Sequence, residues 1–563
     1  MKFNELKYER PDVIKLKKDS EVMLKKLKKA STYKEAREIY LEGNKLTEDL
    51  GLMFVLCHIH KDMDTSNEFY LKEEKALQMS MVKLVGVQKK LNNYLLNNPF
   101  KQDFINEFGA HWYKDIEVGK KFNSAKAILQ NVKESEWVNK YSKAVASCVV
   151  EFEGEQCNFY GLLKHMKSND RNIRKAAFEE WAKLYSNVSN ELDNIYDELI
   201  KLRNKSCKTF KYDNFVNMSY EKRSRYDYTQ EDVKKFRDAI AKYITPAVDS
   251  LMKEQAKRIG VDKLKMYDEG VVFKDGAPII QGNKDELVAK ALDMYKDLSK
   301  ETGEFFQFMV DGEFYDLETR PNKRLGGYCT ALGKYKAPFI FSNFNGTTAD
   351  LQVLTHEAGH AFEYYVGSRN IENTDLVHST SEINEIHSMA MEVFTYPYMD
   401  NFFDSGDKYR FEHLIDSLAV IPYMACVDEF QHEVYLKNLD RDARYKLWHE
   451  LELKYMPWRD YDGNEFLEKG GYWMQKQHIF MYPFYYIDYA LAQMGAFQFL
   501  GKIKEDKDSA WADYYKLCLA GGTKGYFDLL KYANLKNPFD EETIKEITEN
   551  VMEEIAKQNN NIQ

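Results

Sequence analysis

Asp350-Leu351-Gln352-Val353-Leu354-Thr355-His356-Glu357-Ala358-Gly359-His360-Ala361-Phe362-Glu363-Tyr364-Tyr365 is the stretch on which the reading of this chain turns. On a helix, positions i and i+4 share a face. His356 and His360 therefore stand one turn apart, where both imidazoles can hold one metal ion. Glu357 lies beside them, off the axis of the pair, placed to reach a water rather than to act as a third ligand. Two neutral imidazoles, an open coordination position and a neighbouring carboxylate base are what metal-assisted hydrolysis needs. The five residues alone are weak evidence. In a chain with 12 histidines, such a match arises by chance on the order of a few per cent of the time. The competing reading is a helix whose two histidines only make hydrogen bonds, so the rest of the chain has to decide.

The 563 residues are 44% hydrophobic, enough for a large core, and carry a net charge of −10 with no strongly basic block. That excludes nucleic acid as the main partner. Seven cysteines, at 57, 148, 157, 207, 329, 426 and 518, are odd in number and contain no Cys-x-x-Cys pair, so neither a disulfide framework nor a zinc–thiolate site is expected. A reducing, cytoplasmic location follows. Met1–Arg10 has no apolar signal core, and no run of eighteen apolar residues marks a membrane span. With only 11 prolines and 28 glycines, and many Lys, Glu and Leu, the composition favours long helices.

Residues 11–97 read as long amphipathic helices, through Leu46, Leu50, Met53 and Cys57 and then Leu77, Met81, Leu84, Val87 and Leu91. His58 and His60 are i and i+2, on different helix faces, and are not a metal pair. Val149–Glu155 reads as a short extended piece. Helix resumes near Asn158, with a turn at Ser168-Asn169-Asp170. Thr229 and Asp232 form a capping signature for a helix that Pro246 should kink or divide. Residues 261–282 read as irregular, and Asn283 caps a helix running to about Phe308. Residues 316–329 read as a charged, glycine-bearing loop. Lys336–Phe344 reads as a strand before the turn Asn345-Gly346-Thr347-Thr348, and Pro338 makes it an edge strand able to hold an extended peptide. The remainder is helical with aromatic interruptions, and Asn559–Gln563 is expected to fray.

A tetrahedral catalytic zinc needs a third protein ligand. Ser381–Val393 reads as a second helix capped by Ser381, on which Glu382 and Glu385 compete for that role. Glu363 can approach only as an outer group. Several blocks now bear on the question: Gly326-Gly327-Tyr328-Cys329, Pro338-Phe339-Ile340-Phe341-Ser342-Asn343-Phe344, Thr355–Phe362 and Glu385-Ile386-His387-Ser388-Met389-Ala390-Met391-Glu392. With them the chain resembles the oligoendopeptidase F and Pz-peptidase branch of the thimet oligopeptidase family of zinc peptidases. The likeness is continuous from about 316 to 500 and weaker from about 145 to 260.

The resemblance implies Glu385 as third ligand and Glu392 as the carboxylate that orients a ligand imidazole. It implies one Zn2+ per chain, held by His356, His360 and Glu385, with Glu357 as general base. In the segment His478–Tyr489 it implies that His478 and a tyrosine stabilise the oxyanion. Tyr482, Tyr485, Tyr486 and Tyr489 compete there, with Tyr489 favoured and Tyr482 next. The expected fold is mainly α: a large helical zincin-type peptidase with a small β-sheet beside the active-site helix and a deep substrate channel. Residues 1–200 would form an N-terminal helical wall and 201–563 the catalytic region, packed as one closed body. The expected activity is a metalloendopeptidase acting on short peptides, with no nucleic-acid or membrane partner. The alternatives are a catalytically silent peptide-binding protein on the same scaffold and a zinc hydrolase for a non-peptide amide. Nothing in the sequence gives the oligomeric state.

Overall fold

Helix builds most of the chain, as the scarcity of proline and glycine requires. The computed structural model describes residues 1–562, without the side chain of Ala125, and shows a mainly α-helical protein with two small sheets. It divides into two units. One comprises residues 1–128, 279–406 and 495–536, the other 129–278, 407–494 and 537–563. Among the described residues no helix is long and apolar enough to cross a membrane.

In the first unit the amino-terminal region forms helices at Val13–Leu27, Tyr33–Leu46, Glu48–Met63, Glu68–Met81 and Val85–Asn97. The apolar spacing from Leu77 to Leu91 runs across a break at residues 82–84. Leu77 and Val87 are buried, but Met81 is exposed, so the pattern marks two helix faces rather than one. Leu27, Tyr40, Leu41, Leu95, Phe104, Phe108 and Trp112 form a core cluster that also takes in Leu376. Polar contacts reinforce this docking. Arg37 pairs with Glu372 at 2.6 Å, Tyr40 donates to Asp375 at 2.6 Å, and Asn44 donates to Asn373 at 3.1 Å. The helix expected from Asn283 to Phe308 is two helices, Lys284–Leu298 and Lys300–Gly312. Asn283 and Glu286 make the expected reciprocal cap, and Ser299 starts the second helix with a cap of its own.

Two expectations about the sheet are corrected. The segment read as a loop from 316 contains the strand Tyr315–Glu318, and Ala337–Phe344 is the central strand, not an edge. Tyr315–Glu318 pairs parallel on one side of it and Tyr328–Leu332 antiparallel on the other. Pro338 is tolerated for a local reason. The parallel contact begins where Ile340 N donates to Phe314 O, 3.1 Å. The N of Pro338, two residues earlier, points to the same side before that partner begins, so no ladder bond is lost. The edge strands are Tyr315–Glu318 and Tyr328–Leu332. Tyr328–Leu332 comes from the glycine-bearing loop, whose path Asn343 fixes by donating from Nδ2 to Arg324 O and Gly326 O, both 2.8 Å.

In the second unit Val150–Phe152 and Glu155–Cys157 form a hairpin, with Glu153 and Gly154 both left-handed at its turn. The helix Arg171–Phe210 follows, capped by Asp170. Thr229 and Asp232 make the expected capping box. Before Pro246 the helix does not simply kink. A wider π-helical turn, Ile240–Ile244, separates Gln230–Ala239 from Thr245–Ile259 and takes up the proline's missing donor. The carboxy-terminal helix runs Glu541–Ile562 through most of the segment expected to fray; Gln563 lies outside the described residues.

Candidate metal centre

The motif lies on the helix Thr348–Asn370, and the second ligand-bearing segment forms the helix Ser381–Phe394. The first helix is set by its N-terminal turn. The buried Asp350 carboxylate accepts from Asn345 N at 3.0 Å and Gly346 N at 2.8 Å. Ser381, expected as the cap, is instead the first residue of the second helix; Thr380 holds the N-cap position and its side chain makes no capping bond. Gly359 explains how closely the two pack. A Cβ there would fall 2.6 Å from His387 O and 2.6 Å from Ser388 Cα. Any side chain in the middle of the motif would push the helices apart.

This close packing brings three donors together. One ligand atom each from His356, His360 and Glu385 lie within 4.8 Å of one another. His356 Nε2 and His360 Nε2 are each 3.4 Å from Glu385 Oε2. Three donors about 2 Å from one ion at tetrahedral angles would stand about 3.3 Å apart. The separations and the imidazole–carboxylate chemistry therefore fit a zinc ion. Glu382, one turn earlier on the same helix, is buried but is not one of the three. Glu363 also turns elsewhere, with His378 Nδ1 3.5 Å from its Oε2.

Carboxylates shape the electrostatics. His356 Nδ1 donates to Glu392 Oε1 at 2.6 Å, which leaves Nε2 toward Glu385. Burial would lower the pKa of His356, but hydrogen bonds to Glu385 and Glu392 outweigh it and raise it well above the usual imidazole range. Burial would raise Glu385, but His360 and His356 hold it far below the usual carboxylate range. A cation among the three donors would take the place of that positive charge. Glu357 is buried, and burial raises its carboxyl above the ordinary value, with the two imidazoles opposing. His387 is fully buried and pushed down to about 4 by burial.

The edge strand Tyr328–Leu332 begins beside Glu357. A Cβ on Gly327 would come within 2.9 Å of Val353 Cγ1 and 3.6 Å of Glu357 Oε1. The glycine thus lets the strand start against the carboxylate. Sequence spacing does not show this neighbour, because the loop reading at 316–329 takes in Gly327 and the first two residues of the strand.

His478, Tyr482 and Tyr489 lie in the second unit, where they form a cluster of their own. The His478 ring is 6.1 Å from Tyr482, 6.2 Å from Tyr485, 4.8 Å from Tyr486 and 6.3 Å from Tyr489. Tyr486 is buried and accepts from Lys476 Nζ at 3.0 Å. Tyr482 is exposed, and the Arg223 guanidinium lies 4.8 Å from the Tyr485 ring centre.

Known proteins share this architecture. Residues 164–272 and 297–549 match the peptidase family M3, and residues 3–123 match the peptidase M3 N-terminal domain. The structure of Pz peptidase A with an inhibitor is 40% identical, covers 99% of both chains and superposes with a TM-score of 0.93. An oligoendopeptidase F structure from Bacillus anthracis str. Ames is 38% identical, covers 99% of this chain and 98% of its own, with a TM-score of 0.88. Oligopeptidase PepF of Bacillus subtilis (strain 168) is 20% identical across 87% of this chain and 76% of its own length. The chain belongs to peptidase family M3, in its oligoendopeptidase F and Pz-peptidase branch, and is a metallopeptidase.

Proposed function

We propose that the chain is a zinc-dependent endopeptidase that cuts internal bonds of short, extended peptides. The observation that carries this reading is the three-donor cluster with the Glu357 carboxylate next to it and the start of an edge strand beside that carboxylate. His356, His360 and Glu385 would hold the zinc ion, which when bound acidifies water and polarises a carbonyl. Glu392 holds the His356 ring in the tautomer that presents Nε2. Glu357 takes the proton of the attacking water and passes it to the leaving amine. The Tyr328–Leu332 strand bonds the substrate main chain by strand addition. His478 and Tyr489, with Tyr482 next in order, act as donors to the developing oxyanion.

Cleavage of an internally quenched peptide, before and after chelation and again after zinc is restored, tests the reading. Zinc-dependent cleavage at an internal bond supports it. Binding without cleavage would leave the silent peptide-binding protein, and turnover of simple acyl amides but not peptides would favour the non-peptide hydrolase.

A further inference from the structure

A second group of metal-type donors lies in the other unit. The strand Glu155–Cys157 runs through Asn158 into the helix Phe159–His165. One carboxylate oxygen of Glu155, the sulfur of Cys157 and one imidazole nitrogen of His165 lie within 4.8 Å of one another. The local fold explains each placement. Glu155 and Cys157 are i and i+2 on a strand and share a face. Asn158 starts the helix by accepting from Gly161 N at 3.0 Å. Gly161 and His165 are i and i+4 and stand one above the other. Gly161 also makes room for the thiol, since a Cβ there would lie 3.1 Å from Cys157 Cβ and 3.2 Å from its Sγ. Cys157 therefore packs one turn from the His165 ring.

Plain packing explains part of this. Cys157 is buried like a small apolar side chain. The His165 ring lies 5.0 Å from Phe152, edge to face. Packing does not explain His165 Nε2, which is buried and makes no hydrogen bond among the described residues. Buried polar atoms in folded proteins nearly always have a partner. One nitrogen of the same ring stands near the Cys157 thiol and the exposed Glu155 carboxylate, two donors that complete a metal site.

We propose that Glu155, Cys157 and His165 bind a second metal ion of the zinc class, which ties the hairpin to the helix that follows it. A thiolate and an imidazole select zinc over the hard cations magnesium and calcium. Three protein donors leave the fourth position to water. On binding, the Cys157 S–H bond breaks, its proton goes to solvent and a sulfur–metal bond forms, so occupancy falls as pH falls. The assignment is independent of the catalytic reading of the first site.

Cobalt(II) titration of the full-length protein distinguishes the two sites. His356, His360 and Glu385 offer only nitrogen and oxygen, so a sulfur-to-cobalt charge-transfer band in the near ultraviolet reports Cys157. The band should appear in the wild type and in His356→Ala and be lost in Cys157→Ser. Zinc bound after dialysis should be two equivalents per chain in the wild type and one in Cys157→Ser or His165→Gln, with peptidase activity retained in both variants. His165→Gln keeps the test open if the serine variant does not fold. One equivalent in the wild type, or a band that survives Cys157→Ser, would overturn the proposal.

Discussion

The Nδ1 of His356 and the Oε1 of Glu392 lie 2.6 Å apart, a bond that joins the two helices of the metal centre. It sets which nitrogen of His356 is left for a cation. Glu392→Gln should weaken zinc binding by about ten- to a hundredfold, the usual effect of losing such a partner. Competition with a chelator of known affinity reads the change, and excess zinc should restore much of the activity.

Glu357→Gln should bind zinc as the wild type does and lose roughly a hundred- to ten-thousandfold in kcat, the range for a general base. Metal content and turnover are measured on the same sample. A variant with full metal and near-normal kcat would remove Glu357 from the mechanism.

Gly359→Ala adds one methyl group where the closest atoms of the facing helix would be 2.6 Å away. Overpacking of this kind costs about 1–3 kcal/mol. The expected result is a lower Tm together with weaker zinc binding, because the same displacement carries Glu385 away from the imidazoles. Gly501→Ala is the control, since nothing lies within 4 Å of a Cβ there.

The Glu452 carboxyl is pushed up to about 7 by burial, opposed by Arg459 and by the hydroxyl of Tyr461, which donates to it. The folded state thus keeps a proton that the unfolded chain releases near the usual carboxylate value. This contribution is fully present at low pH and is lost as pH rises toward about 7. Glu452→Gln should remove about 3 kcal/mol of that pH dependence. Urea unfolding at pH 5 and pH 8 should show the variant gaining relative to the wild type at the higher pH. Equal slopes for both proteins would refute the assignment.

Local signals in this sequence were legible, and long-range ones were not. His356 and His360 declare themselves by helical spacing, and Asp170, Thr229 and Asn283 by their caps. Glu385 could not be separated from Glu382 by spacing, because both fall on buried turns of one helix. What distinguishes them is the approach of that helix at Gly359, which spacing does not encode. Pro338 misled for a similar reason. Proline argues against a central strand only where a partner meets its nitrogen, and here the parallel partner starts two residues later. The loop read at 316 hid a strand because Tyr315–Glu318 is four residues long, too short for alternation to stand out.

The residues that join the two helices of the candidate metal centre, 371 to 380, are themselves tethered at 372, 373 and 375 to the amino-terminal helices through Arg37, Asn44 and Tyr40. The first hundred residues are therefore not an interchangeable module. A chain begun after them would keep every motif of the metal centre yet lose the scaffold that sets the spacing between its two halves. Exchange of this segment between relatives would succeed only if the 371–380 linker travelled with it.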